Sequence, residues 1–109
     1  MKAKESDWKV FSKHVPEWRE RHLERINREI ADLLTDRERT PTECFWNTFK
    51  KMKEERRILV DCFDNHSRSR MSMSLVLMHR HGIIEDADLN DFSGEIRKWV
   101  HTAVSVLDD

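Results

Sequence analysis

The sequence predicts an all-α protein, a small four-helix (or kinked three-helix) bundle with short connections and antiparallel neighbours. Three observations carry this. The 109 residues include two glycines and two prolines, far too few for the turns of a sandwich, a barrel or a βαβ fold. Both prolines, Pro16 and Pro41, fall where a helix can start or kink. Charged and apolar residues each make up 38% of the chain, and the apolar ones recur in steps of three and four, as in helices with one buried face. The length suits one helical domain, 1–109, with a single modest core.

The first helix is expected at about 6–34, capped by Ser6 or Asp7 and kinked near Pro16. Trp8, Phe11, Val15, Trp18, His22, Ile26, Ile30 and Leu33 form one apolar stripe that keeps its phase across the proline. Glu17–Arg21, Glu24–Arg28 and Arg28–Asp32 lie four residues apart on the opposite side, which reads as a solvated face. His22, on the stripe, reads as a hydrogen-bonded core histidine. Residues 35–39 make a short polar connector.

Thr40-Pro41-Thr42-Glu43 has the chemistry of a capped helix start: a hydroxyl acceptor, a proline that needs no donor, and a carboxylate able to reach back. The helix from there, 41–64, is expected to bury Phe45, Phe49, Met52, Leu59, Val60 and Phe63, leaving Lys50, Glu54, Arg57 and Asp61 in water. Arg56 sits in the middle of the apolar face. Either its stem packs while the guanidinium reaches an acid, or that face meets a partner.

Asn65-His66-Ser67-Arg68-Ser69-Arg70 is a polar, basic knot. Beyond it the apolar positions Met71, Leu75 and Met78 are rotated by about 85°, counting 100° per residue, from the phase of the preceding face. A polar gap with a phase jump predicts a break there and a new helix, 67–81, capped by Ser67 or Ser69. Between Met71 and Met78 only Ser72 and Ser74 are not apolar, so this helix is either central to the core or shared with another subunit. Gly82 is placed to end it in a left-handed cap. A last helix, 86–106, is expected to start at Asp86 or Asp88, include Gly94, and bury Leu89, Phe92, Ile96, Trp99, Val100, Ala103 and Leu107.

Composition narrows the functional classes. The net charge is −1, which exerts no general pull on nucleic acid or membranes. The charge is unevenly spread: 66–81 has no acid, whereas 82–109 is acid-rich, consistent with two helices that neutralise each other. The N-terminus lacks an apolar stretch after its lysines, so no secretory signal is expected, and no apolar run approaches the roughly 20 residues of a membrane span. Cys44 and Cys62 would lie about 27 Å apart on one straight helix, beyond disulfide reach. They read as reduced, partly buried residues of a cytoplasmic protein.

The expected function is that of a small cytoplasmic interaction protein (a regulator, adaptor or assembly subunit) and not an enzyme. It is expected to self-associate as a dimer, or bind another protein, through Arg56, Met71, Met73, Leu75 and Met78. The alternative is a nucleic-acid-binding regulator that uses His66, Ser67, Arg68 and Arg70 as an anion or partner site at a helix start. The acids Glu54, Glu55, Asp61 and Asp64 among the neighbouring bases weigh against that. A second alternative, a metal or catalytic bundle, would draw on Asp61, Cys62, Asp64, His66, His79 and His81. No Glu-x-x-His pair is present, and His79 and His81 diverge by about 200° on a helix. No catalytic residue, metal ligand, cofactor or membrane contact is therefore expected.

Overall fold

The structure, a computed structural model, describes residues 3–108, the side chains of Leu107 and Asp108 excepted. These residues form four α-helices and no strand: α1 (Glu5–Leu34), α2 (Pro41–Phe63), α3 (Met71–Arg80) and α4 (Gly94–Asp108), with a 3₁₀ turn at Asp86–Leu89. The expected stripe place of Leu107 falls on a side chain outside the described ones. The all-α bundle predicted from the sequence is the fold observed.

The α1 helix runs unbroken through Pro16 and buries Phe11, Val15, Trp18, His22 and Ile26 of the predicted stripe, while Trp8, Ile30 and Leu33 on the same stripe are partly exposed. Its start differs from expectation: Lys4 is the N-cap, without a side-chain bond. Asp7 instead reaches across to α4, accepting hydrogen bonds from Ser93 N and Ser93 Oγ, both at 2.7 Å. The Ser93 hydroxyl accepts from Ile96 N. Ser93 thereby caps α4, which is why that helix begins at Gly94 rather than at 86–88 with Gly94 inside it. The acids at 86 and 88 start the 3₁₀ turn, where the Asp88 carboxylate accepts from Glu85 N.

The predicted box at the start of α2 is present: Thr40 Oγ1 accepts from Glu43 N and Glu43 Oε1 from Thr40 N. The bond from Thr40 N, helped by the Thr40 side chain, holds the Glu43 carboxyl below its ordinary value. After Phe63 the chain breaks as expected, with Asn65 at a left-handed φ of 59°. The new helix begins at Met71 and not at 67, because 68–70 form a turn in which Arg70 N donates to Ser67 O and Oγ. Gly82 ends α3 at φ 73°, with Ile83 N bonded back to Met78 O. Ile83 and Ile84 then turn into the core.

The core lies at one end of the molecule. Phe11, Val15 and Trp18 of α1 and Cys62 of α2 meet α3, the 83–92 segment and α4. The rest of α1 and α2 extends away from it as an antiparallel arm. His22 pairs with Glu55 and Glu29 with Lys51, so one number falls as the other rises. The radius of gyration is 16.4 Å and the longest extent 51 Å, against about 13 Å for a compact chain of this length.

Two expectations about charge are corrected. Arg21 and Arg25 are not on a purely solvated face. Arg21 forks onto both Asp88 oxygens at 3.0 and 2.9 Å and onto Ile83 O, and Arg25 reaches Gly82 O. The acidic 82–109 segment is tied mainly to the N-terminal part of the chain rather than to 66–81: Asp88 pairs with Arg21, Glu95 with Lys4, and Asp91 bonds the His14 ring. Among the described residues, His79 with Asp86 is the ion-pair contact that joins the two segments as expected.

Candidate functional site

The basic knot is tied into the scaffold. The Arg68 guanidinium donates twice to Glu5 at 2.9 Å and lies 5.2 Å from the Trp8 ring centre, while Arg68 O accepts from Ala3 N. His66 Nε2 donates to Cys62 O at 2.7 Å, satisfying a carbonyl at the end of α2, and its ring stands edge-on to Phe11 at 4.9 Å. Ser67 and Ser69 hydroxyls bond each other. Of the four sequence candidates, Arg70 alone offers an exposed charge without an ion partner among the described residues. The four residues do lie together, but as the clasp that fastens the α2–α3 break to α1.

The predicted interface is corrected as well. Met71, Leu75 and Met78 are 0% exposed within a single chain. They are core, because α3 is covered by α4, α2 and the 83–92 segment. Met73 is half-exposed, on the outer side.

The titratable groups weighed for chemistry are dispersed. Among the described residues no group of three or more His, Cys, Asp or Glu is placed to hold a metal ion. Burial pushes the Cys62 thiol up to about 12, so it stays protonated and inert. Besides the Asp7–Ser93 link, a buried polar network lies in the arm. Arg25 can only donate, so His22 Nδ1 at 3.0 Å is the acceptor and Nε2–H faces Glu55 at 3.3 Å. Lys51 bridges Glu55 to Glu29. This is the hydrogen-bonded core histidine the sequence predicts. Burial holds the His22 pKa below its ordinary value, against the pull of Glu55 and with help from Arg25.

That shift has a consequence for stability. The folded chain holds His22 neutral where the unfolded chain would protonate it, so its contribution is present above the unfolded value of about 6.5 and lost as pH falls below it. Urea midpoints should therefore drop on going from neutral to mildly acidic pH more for the wild type than for His22→Gln, which keeps one donor and one acceptor. Parallel pH profiles for the two would remove His22 as the cause.

The feature that the sequence reading inverted is the outer face of α2. Phe45, Trp46, Phe49, Met52 and Val60 retain 47–58% of their surface. The side turned to α1 is Cys44, Thr48 and Glu55, small or polar groups that let the helices approach. The five exposed apolar residues share an arc of about 140°, counting 100° per residue, with Lys53, Arg56 and Arg57. No acid of α2 falls in that arc. Trp46 is edge-on to Phe45 at 5.0 Å and to Phe49 at 5.8 Å, and Lys53 lies 5.9 Å from the Phe49 ring centre. Leu34, 52% exposed, continues the patch through a shallow concavity shared with Pro41, Cys44 and Phe45. Lys50, Lys53, Arg56 and Arg57 have no ion-pair partner among the described residues. Arg56, which the sequence places within the apolar face, is thus exposed and without an ion partner among the described residues.

A concavity of about 420 Å³ between α1 and the 82–88 loop is lined by Arg21, Arg25 and Arg28. Arg21 and Arg25 are already spent on Asp88 and on loop carbonyls, so its charge serves the fold. No described helix is long and apolar enough to cross a membrane. No protein-family model, curated protein or solved structure matches this chain.

Proposed function

We propose that this chain is a small helical interaction protein (a regulator, adaptor or assembly subunit) whose working surface is the outer face of α2. The observation that carries this is the exposed aromatic and aliphatic stripe with unpaired bases and no acid. Six large apolar side chains at about half exposure leave on the order of 600 Å² in one patch. The largest patch on a typical monomer is about 300–600 Å², and a standard interface covers about 800 Å² per partner. An apolar area with basic borders favours a protein surface that is apolar and acidic.

A binding protein fits better than an enzyme, since the buried titratable groups serve packing and sealed hydrogen bonds. The two free, buried thiols suit a reducing cytoplasmic setting. Nucleic-acid binding through the knot has less support, because Arg68 is held by Glu5. A stacking platform on α2 is also less favoured, because the three rings already pack edge-on against one another.

Phe49→Glu tests the reading. It should leave helix content and the urea midpoint within about 0.5 kcal/mol of wild type, as at other exposed sites. It should also abolish both self-association and binding of an acidic amphipathic helical peptide. Unfolding would make the face part of the core, and unchanged association would place the surface elsewhere. A wild type that neither self-associates nor binds the peptide would overturn the proposal.

A further inference from the structure

The arm carries opposite charges at its two ends. Residues 50–57 contain five bases and two acids, net +3, whereas residues 32–43 around the hairpin tip contain four acids and two bases, net −2. The aromatic cluster of Phe45, Trp46 and Phe49 lies between them. Both charged ends are exposed: Arg56 and Glu38 face solvent, and neither has an ion-pair partner among the described residues.

We infer that the occupant of the α2 face is a second copy of this chain, with the two α2 helices antiparallel about a two-fold axis at the level of Trp46–Phe49. This rests on the reading of α2 as the docking surface. About nine residues, or roughly 13 Å at the helical rise, separate such an axis from Arg56, and on the other side α2 ends after about seven residues, at Pro41, with Glu38 in the turn just beyond it. The two-fold exchanges them, so the basic half of each helix lies over the acidic tip of the other arm. A two-fold interface uses the same patch on both copies, and here the patch is self-complementary only in this direction. Parallel packing would set Arg56 and Arg57 against their own copies, which like-charge repulsion disfavours. The apolar cluster falls at the centre, where aromatic anchors contribute most. Two arms, each only two helices wide, then form a four-helix bundle.

Sedimentation over a wide concentration range, combined with a charge swap, decides the matter. Wild type should shift from one to two chain masses as concentration rises. Arg56→Glu should weaken the dimer by about tenfold or more in Kd, about 1.4 kcal/mol or more over the two symmetry-related pairs, and adding Glu38→Arg in the same chain should restore it. Both positions are exposed, and unchanged far-UV circular dichroism confirms that the variants fold. A dimer indifferent to Arg56→Glu, or no recovery in the double variant, overturns the antiparallel pairing. A wild type that stays monomeric overturns self-occupancy. In that case Phe49-dependent binding of the acidic peptide would keep the docking surface with another occupant, and absent binding would remove both. Phe49-dependent binding of single-stranded RNA or of anionic phosphatidylserine vesicles instead would also overturn the inference.

Discussion

Leu75→Arg should unfold this protein. Leu75 is 0% exposed in the single chain, packed with Met71, Val76 and Met78 on the helix at the centre of the core. Truncation to alanine there costs about 2–5 kcal/mol. Arginine adds an unpaired buried charge, whose effective penalty is several kcal/mol more. A domain of this size has only about 5–15 kcal/mol of stability in total. The expected result is loss of the far-UV helix signal and of a cooperative urea transition. Met73→Arg, two residues away on the half-exposed side, should change stability by no more than about 0.5 kcal/mol. A folded, monomeric Leu75→Arg would instead mean that α3 is a subunit interface, as its composition alone suggests.

Asp7→Ala should cost about 3 kcal/mol. Its carboxylate is 2% exposed and accepts two 2.7 Å bonds from Ser93. Bonds to a charged group are worth about 1.5–3 kcal/mol each, and the alanine variant leaves the Ser93 donors without an acceptor. The Ser93 cap is in turn what starts α4, whose acceptance from Ile96 N is the local part of the same link. For a chain of this length the loss corresponds to a drop in Tm of more than about 10 °C. Thermal unfolding of Asp7→Ala, Ser93→Ala and the double variant checks this: the two effects should be strongly non-additive. Independent, additive losses would show that the bond does not join the helices energetically.

Much of the fold was legible because it depends on near neighbours in sequence. The Thr40–Glu43 box, the left-handed stop at Gly82, the stripe of α1 and the break between Phe63 and Met71 are all set by residues within one or two helical turns. His22 as a hydrogen-bonded core residue was legible too, although its partner Glu55 was not. The candidate site was only partly legible: Arg56 and Arg70 are exposed and unpaired among the described residues, whereas Arg68 is held by Glu5 and Met71, Leu75 and Met78 are buried in the chain. The knot looked like an anion site because nothing local neutralises Arg68, and its partner Glu5 lies 63 residues away. The α3 helix looked like an interface because it is apolar on most sides, but whether its outer sides are covered depends on α4 and the 83–92 segment.

The α2 helix shows the division most clearly. Periodicity identified Phe45, Phe49, Met52 and Val60 as one face, and it flagged Arg56 as out of place within it. It could not say which side of α2 meets α1, because a helix with apolar residues on one side and Cys44, Thr48 and Glu55 on another can pack through either. The sequence by itself determined the helical character, the Thr40–Glu43 box, the Gly82 stop and the break at the knot, through short-range hydrogen bonds and the 3.6-residue repeat; the starts of α1, α3 and α4 lie elsewhere than the local cap residues suggest. Only the tertiary structure decided which faces are covered. The Asp7–Ser93 and Arg21–Asp88 links, 86 and 67 positions apart, fasten α1 to the 83–93 segment, and the His22–Glu55 and Glu29–Lys51 pairs set the Glu55 side of α2 against α1, which leaves its aromatic side outwards.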